Sequence, residues 1–311
     1  MAASEVAPAA LFLALYILFF LLLSALYATK RISWKSRYSL VMFHVVLRVV
    51  GMATGVAFAL MEWSEGGGQR VDVLIAYLVF SAEGYFSLIL CAYRFLVVWQ
   101  QSRLGASPLE PRISPGTPTR QKWRMHLRAP LASLHWALLA ANAFIIAGSS
   151  VIAGAIGEEE TEYIRHRQKT AKGLRVAGTA IFLFAVQVFL LLCFTSARRF
   201  KDKRGDRTLF LIAATWPFLT VRGVYGIINV LVDAYSYSSS SVYTRDGFTS
   251  TFIIGEHVLG TAMEWLACGS LLATHFSSVV GEEMVEEWGG AEDGEKEGQG
   301  EEKGARAEEG V

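Results

Sequence analysis

The chain has 311 residues, of which 53% are hydrophobic, and its formal net charge at pH 7 is +1. A net charge near zero excludes the bulk basic surface that nucleic-acid binding requires, so no nucleic-acid partner is expected. A mean hydropathy of +0.36, with the apolar residues gathered in blocks, indicates an integral membrane protein.

Seven apolar blocks follow one another along the chain, and short charged connectors separate them. Each block has at least the ~20 residues that a helix needs to cross a bilayer core of about 30 Å. The sequence therefore predicts an all-α, polytopic membrane protein whose seven transmembrane helices lie within residues 1–280. The predicted spans are about 9–28, 38–62, 73–99, 131–156, 174–197, 208–232 and 250–276.

The basic residues of the connectors predict the orientation. The first, third and fifth connectors carry four, six and six Lys or Arg residues, whereas the second and sixth carry one each. The fourth carries four, but four glutamates accompany them. Because cytoplasmic connectors are enriched in Lys and Arg, the N-terminus is predicted outside and the C-terminus in the cytoplasm. Nothing in the pattern distinguishes the plasma membrane from another endomembrane.

Two segments have the composition of disordered chain. Residues 103–120 contain four prolines and lie in the third, cytoplasmic connector, and residues 281–311 carry twelve acidic against three basic residues. Such sequences bury too little apolar surface to fold alone. The first segment is explained as a spacer and the second as a solubilising tail. The alternative is that these segments bind a cytoplasmic protein partner.

Five ionisable side chains lie near the middle of the predicted spans. A charge in hydrocarbon costs roughly 2.5–3.5 kcal/mol on insertion scales, so such residues face the bundle interior and pair with one another. Arg222 in the sixth span is predicted to pair with Glu264 in the seventh, with Glu83 as the second candidate. The predicted charged network consists of Arg48, Glu83, Arg222, Glu256 and Glu264.

The helical period places further polar and small residues beside these charges. Gly51 and Gly55, four residues apart in "GMATG", predict the close approach of another helix to the second span. The predicted supporting polar residues are His44, Ser87, Arg94, Tyr225, Asn229 and His257.

Two interpretations of the network stay open. One is a polar core that serves the structure only, and the other is a site for an amphipathic molecule or a proton relay. The spans contain no His-x-x-x-His pair and the chain no Gly-x-Ser-x-Gly turn, so no catalytic residue, metal or cofactor is predicted. An intramembrane metal-dependent hydrolase is the lowest alternative.

The last two spans resemble a fungal family of uncharacterised seven-helix integral membrane proteins. The likeness lies in "VRGVYGIINVLVDAYSY" and "GEHVLGTAMEWLACGSLLATHF", which share Arg-x-x-Tyr followed by Glu-x-x-Leu-Gly-Thr-x-Met-Glu-Trp. The matching residues are Arg222, Tyr225, Glu256, Leu259, Gly260, Thr261, Met263, Glu264 and Trp265. The resemblance implies the fold and a membrane location, but no settled activity.

A more distant likeness is to the fungal lipid-translocating exporter family, whose sixth span reads roughly Arg-x-x-Tyr-Arg-x-x-Glu. Arg222 and Tyr225 match that pattern, whereas Gly226 and Asn229 replace its second Arg and its Glu. Together these observations predict a non-enzymatic protein that binds or translocates a lipid-like amphipathic molecule through the charged network. The alternative is a receptor-like sensor that signals through the third connector and the tail.

Overall fold

Long helices make up nearly all of the described structure. A computed structural model describes residues 3–60, 68–110, 129–154, 162–200, 206–237, 239–244 and 247–277. The helices are α1 (Ala3–Ala28), α2 (Tyr38–Leu60), α3 (Gly68–Leu104), α4 (Pro130–Gly154), α5 (Glu162–Arg199), α6 (Arg207–Ala213), α7 (Thr215–Leu231), α8 (Ser250–Ile254) and α9 (Met263–Ala273). A π-helical segment, Gly255–Ala262, joins α8 to α9. Between α7 and α8 lie two 3₁₀ turns (Asp233–Tyr235 and Ser240–Val242) and the antiparallel strands β1 (Tyr243–Thr244) and β2 (Gly247–Phe248).

Six of the helical stretches are long and apolar enough to cross a membrane by length and composition. They are Val6–Ala28, Tyr38–Leu60, Asp72–Leu104, Pro130–Ile152, Glu162–Arg199 and Arg207–Leu231. In the place of the seventh predicted span, α8, the π-helical segment and α9 follow one another without a break over residues 250–273. At 1.5 Å per residue this stretch is roughly 36 Å long. The set fits an integral membrane protein of six or seven spanning helices.

The side chains that face away from the bundle are apolar, as a lipid-facing surface requires. On α5, Phe184 and Leu191 are 71% and 62% exposed, and Phe210 on α6 is 72% exposed. Water would disfavour so many exposed large apolar groups on a monomer. Their position on the outside of long helices supports the membrane assignment.

Some helix ends differ from the predicted boundaries. α3 continues to Leu104 and ends where Gly105 adopts a left-handed backbone with φ of +75°. Residues 105–110, predicted as the start of the disordered third connector, fold back on α3, where Ser107 donates a hydrogen bond to Gln100. Residues 111–128 and 278–311, which hold the rest of that connector and the whole acidic tail, lie outside the described residues.

The sixth predicted span is two helices rather than one. Pro217 lies in the first turn of α7 and has no N–H to donate to the carbonyl of Ala213, so the helix is interrupted at Ala214. Asp206 caps the N-terminus of α6 by accepting hydrogen bonds from the backbone N–H groups of Thr208 and Leu209.

The apolar core consists of two clusters that meet the same helices at different heights. A larger cluster includes Leu23 of α1, Val45 of α2, Leu88 of α3 and Leu271 of α9. A smaller cluster, nearer the β1–β2 end, includes Tyr16, Met52, Leu78 and Phe252. Arg48, Glu256 and Glu264 lie along the chain between members of the two clusters. The charged residues therefore separate two apolar layers.

Candidate functional site

Two buried arginines share one buried carboxylate at the centre of the bundle. Arg222 Nε lies 2.6 Å from Glu264 Oε1, and Arg48 Nη2 lies 2.8 Å from Glu264 Oε2. The side chains of Glu264, Arg48 and Arg222 are 0%, 2% and 12% exposed. We call these three residues the Arg–Glu–Arg triad. It joins α2, α7 and α9, and the structure thus places Arg222 against the acid that the sequence favoured.

Small and aromatic residues of α3 make room for the triad. A Cβ on Gly84 would lie 2.6 Å from Arg48 Cδ and 2.9 Å from its Nη1, so only glycine lets α3 pass this close. Tyr85 stacks under Arg222, whose guanidinium carbon is 5.4 Å from the ring centroid. The Tyr85 hydroxyl donates to the carbonyl of Leu219 at 2.8 Å, which ties α3 to α7.

The triad has a local charge of +1 and several polar atoms without partners. The contact between Arg48 and Glu264 is an ion pair that lacks hydrogen-bond alignment, so Glu264 Oε2 accepts no hydrogen bond there. Among the described residues, Arg48 Nε and Nη1, the Tyr16 hydroxyl and His44 Nε2 also lack a hydrogen-bond partner. Buried polar atoms in native proteins nearly always have one, from protein, water or ligand. The triad is therefore a place where a polar guest would complete the hydrogen bonding.

A second polar group surrounds Glu256, whose side chain is buried. Tyr77 donates to Glu256 Oε1 and Tyr225 donates to Oε2, each at 3.1 Å. Tyr237 packs beside Tyr77. It lies outside the predicted spans, and burial raises its pKa, with the nearby Glu256 charge acting in the same direction. We call Glu256, Tyr77, Tyr225, Tyr235 and Tyr237 the Glu256–tyrosine cluster.

The hydrogen bonds continue from this cluster to a third buried arginine. Asn229 Nδ2 lies 3.5 Å from the Tyr225 hydroxyl and donates to the Tyr235 carbonyl at 2.7 Å. Asn229 Oδ1 accepts from Arg175 Nη2 at 2.8 Å. Arg175 is buried on α5. Asn229 thus links α5, α7 and the turn after α7.

Glu256 and Gly260 both lie in the π-helical segment. Such a segment holds one more residue than an α-helix between the same two ends, and π-helical turns are frequent at functional sites. Here it bridges the Glu256–tyrosine cluster and the triad, because Glu264 lies in the first turn of α9. The two acidic residues are held by one continuous helical stretch.

Three of the five predicted network residues come together, and Glu256 forms a separate cluster. Glu83 is not a partner of Arg222, because it faces α4 and accepts a hydrogen bond from Asn142 Nδ2 at 2.5 Å. Arg94 pairs instead with Glu110, beyond the end of α3, at 2.5 Å.

The remaining supporting residues have local roles. His44 Nδ1 lies 3.0 Å from Ser87 Oγ, next to the triad. His257 stacks on Phe12 of α1, away from both acidic residues, with 6.0 Å between ring centroids. Gly51 and Gly55 face α3, where an added Cβ would lie 3.1 Å from Phe80 and 3.0 Å from Tyr77. This close contact of α2 with α3 confirms the prediction made from the two glycines of "GMATG".

Several residues of the site were not identified from the sequence. Arg175 is the second residue of a predicted span, close to its end, where an arginine can reach water and gives no signal of burial. Tyr77 and Tyr85 lie in an apolar span, and the signal for them is that a buried tyrosine hydroxyl usually finds a hydrogen-bond partner. Gly84 is a small residue within a span, and small residues mark positions where another helix can approach closely.

No metal centre is visible in the described part of the chain. Those residues contain no group of three or more His, Cys, Asp or Glu side chains able to hold a metal ion. Cys91, Cys193 and Cys268 are buried and free.

Comparison with known proteins gives one partial match. Residues 125–254 are similar to a family described as a domain of unknown function (DUF7702). That stretch contains Arg222 and Tyr225 but ends before Glu256 and Glu264. No curated protein and no solved structure matches the chain. Since the matched family's description names no function, the function has to be argued from the site.

Proposed function

We propose that the chain is a seven-helix, multi-pass membrane protein that binds or translocates a lipid-like amphipathic molecule at the Arg–Glu–Arg triad. Its N-terminus lies outside and its C-terminus in the cytoplasm. The seventh span is the continuous stretch of α8, the π-helical segment and α9. The charged group of the ligand is anionic, and its apolar part lies along the helices.

The observation that carries the proposal is the sharing of Glu264 by two buried arginines. One carboxylate neutralises one guanidinium, so the triad keeps one positive charge in an interior that both apolar clusters surround. Removing charges from water costs several kcal/mol per ion, and an apolar core of the same volume is often at least as stable. Ionisable residues inside a membrane are functional by default for this reason.

The unpartnered atoms specify the chemistry of the ligand. Arg48 has two nitrogens, Nε and Nη1, without acceptors in the described structure, and its guanidinium lies over the ring of Tyr16, whose hydroxyl also lacks a partner. Guanidinium groups bind carboxylate and phosphate oxygens strongly because both charge and donor geometry match. An anionic headgroup would supply the missing acceptors and the missing negative charge together.

Arg222 is the triad member that a ligand would reach first. It is 12% exposed, whereas Glu264 is fully buried, and its Nη2 makes only a long contact of 3.4 Å with Ser81 Oγ. A ligand oxygen can replace that weak contact at low cost. Arg222 would then bind the headgroup while its Nε keeps Glu264.

The test compares two amphipaths that share a tail. In a neutral detergent, dodecanoate is expected to raise the melting temperature of the full chain, and dodecanol is not. Arg222→Gln should remove the dodecanoate effect, whereas Arg198→Gln, which removes an exposed charge at the end of α5, should retain it. An equal response to dodecanol, or an unchanged response of Arg222→Gln, would contradict the proposal.

Binding and translocation are separated by a second measurement. Reconstituted protein should move a fluorescent anionic lipid between the leaflets of vesicles if it translocates its ligand. Ligand-induced stabilisation without such movement would favour the receptor-like sensor over the translocator.

A further inference from the structure

We infer that the Glu256–tyrosine cluster is a second binding site, which takes an organic ammonium group such as the trimethylammonium of a choline headgroup. This site is separate from the triad and prefers the opposite charge. The inference uses the seven-helix arrangement but does not depend on anion binding at the triad.

The first argument is the charge of Glu256. Its side chain is 7% exposed, and both of its oxygens accept hydrogen bonds from tyrosine hydroxyls, which is the pattern of an ionised carboxylate. In the described part of the chain no Lys, Arg or His forms an ion pair with it. Arg175 joins the cluster through Asn229 rather than by contact with Glu256. The charges of Arg175 and Arg222 reach Glu256 only from a distance, so a cation in direct contact with the buried carboxylate is what a ligand can add.

The second argument is the arrangement of the aromatic rings. The rings of Tyr77 and Tyr237 are 6.4 Å apart at an angle of 69°, and those of Tyr225 and Tyr235 are 6.1 Å apart at 84°. Each pair is in edge-to-face contact. The hydroxyls of Tyr77 and Tyr225 bind different oxygens of Glu256, so aromatic rings stand on two sides of the carboxylate. Aromatic faces attract cations, and groups of aromatic rings recognise quaternary ammonium groups. The carboxylate adds the full opposite charge.

The third argument is the space beside Gly260. A Cβ added there would make ordinary contacts, 3.6 Å from the Tyr225 ring and 4.0 Å from the Glu256 carboxyl carbon. Glycine therefore leaves room for one methyl of the ammonium group next to both the acid and an aromatic face. On the other side, a Cβ on Gly255 would lie 2.7 Å from the Tyr235 ring, so that wall is closed. The opening lies on the Gly260 side.

The location of the cluster suits a headgroup that arrives from the aqueous side. Tyr235 and Tyr237 belong to the connector between α7 and α8, at the end of the bundle. In the predicted orientation this end faces outside. A choline group that entered here would pass Tyr237 and Phe248 at the edge of the smaller apolar cluster and would not cross the larger one.

The experiment uses choline and its uncharged carbon analogue, 3,3-dimethylbutan-1-ol. Choline is expected to raise the melting temperature of the full chain and to bind measurably by calorimetry, whereas the analogue, which has the same shape, is not. An equal effect of the two compounds would show that shape rather than charge is recognised and would overturn the inference.

A pair of glycine variants locates the site. Gly260→Ala fills the space beside Glu256 without a clash and should weaken choline binding by about tenfold or more. Gly269→Ala adds the same methyl on the same helical stretch, 3.4 Å from Phe19 and outside the cluster, and should leave choline binding unchanged. Unchanged binding in Gly260→Ala would overturn the assignment.

A charge variant completes the test. Glu256→Gln keeps the size of the side chain and should reduce choline binding at least as much as Gly260→Ala does. Both variants should keep the melting-temperature shift with dodecanoate, because Gly260 and Glu256 lie outside the triad. Loss of the choline response alone thus reports on this cluster, whereas loss of the dodecanoate response alone would count against the proposed function.

Discussion

Glu264 is the residue on which the two triad arginines depend. Glu264→Leu leaves two buried cations unpaired, so we expect it to lower the free energy of unfolding by at least about 3–5 kcal/mol. Arg222→Leu leaves Arg48 and Glu264 as a one-to-one pair and should cost clearly less. The melting temperatures of the purified variants in one detergent measure the difference.

The double variant gives a sharper result than the single ones. Arg222→Leu with Glu264→Leu should recover only part of the loss caused by Glu264→Leu, because Arg48 remains buried without its carboxylate. The triple variant that also carries Arg48→Leu should recover most of the loss. Strictly additive effects among the three positions would show that the residues do not act as one group.

Adding one methyl group at Gly84 should lower the stability of the protein. Gly84→Ala places a Cβ within 2.6 Å of Arg48 Cδ, so the arginine or α3 must move, at a cost of about 1–3 kcal/mol. Gly173→Ala on α5 is the control, since nothing lies within 4 Å of its Cβ. That change should be neutral or slightly stabilising, because alanine favours a helix by up to about 1 kcal/mol. Similar melting temperatures for the two variants would refute the close contact.

At the scale of single elements, the π-helical segment predicts that two single-residue deletions differ in their effect on the melting temperature. Val258 lies within the segment and is 48% exposed, and Leu266 lies in α9 and is 36% exposed. Deleting Val258 removes the extra residue and restores an α-helix between unchanged ends. Deleting Leu266 rotates everything on one side of it by about 100°. The first deletion should therefore lower the melting temperature much less than the second.

The two deletions should also differ in ligand binding. Without Val258, Glu264 keeps its place in α9, so the dodecanoate response should remain, whereas the altered segment should lose choline binding. Val258→Ala, which keeps the chain length, serves as the control and should retain both responses. If both deletions lowered the melting temperature and the ligand responses equally, the segment would not contain an extra residue that can be removed without shifting α9.

Hydropathy was sufficient to predict long apolar helices but not their breaks, and the partners of the polar residues depend on packing that one sequence does not contain. Arg222 and Glu264 were paired correctly by depth, since both are centred in their spans. Glu83 has a similar depth, yet α3 turns it toward Asn142 on α4. Helical periodicity gives the angle of a side chain on its own helix and not the neighbour it faces. The π-helical segment was missed because one added residue leaves the apolar pattern intact. The resemblance to a fungal seven-helix family stays a prediction.

At the scale of the whole molecule, the basic connectors predict a cytoplasmic C-terminus. A reporter fused to the C-terminus should be protected from reagents that reach only the outer or lumenal face, and one placed at residues 245–246 should be accessible to them. The reverse pattern would invert the orientation and assign the Glu256–tyrosine cluster to the cytoplasmic side.

The acidic tail should contribute nothing to the stability of the bundle. Removing residues 289–311 deletes Gly- and Glu-rich sequence that offers almost no apolar area to bury, so the melting temperature should not change. A matched deletion of α9 residues of any length is expected to be damaging. A marked drop on tail removal would show that the tail binds the basic connectors.

The position of Glu264 along the chain also has a consequence for biosynthesis. The ribosome makes α2 and α7 before the final helical stretch, so Arg48 and Arg222 enter the membrane before their common carboxylate exists. Until that stretch is inserted, both arginines must stay hydrated or near lipid headgroups. Insertion of the last helix would then act as a checkpoint: chains that stop short of it would carry two unmatched charges and be held back by cellular quality control.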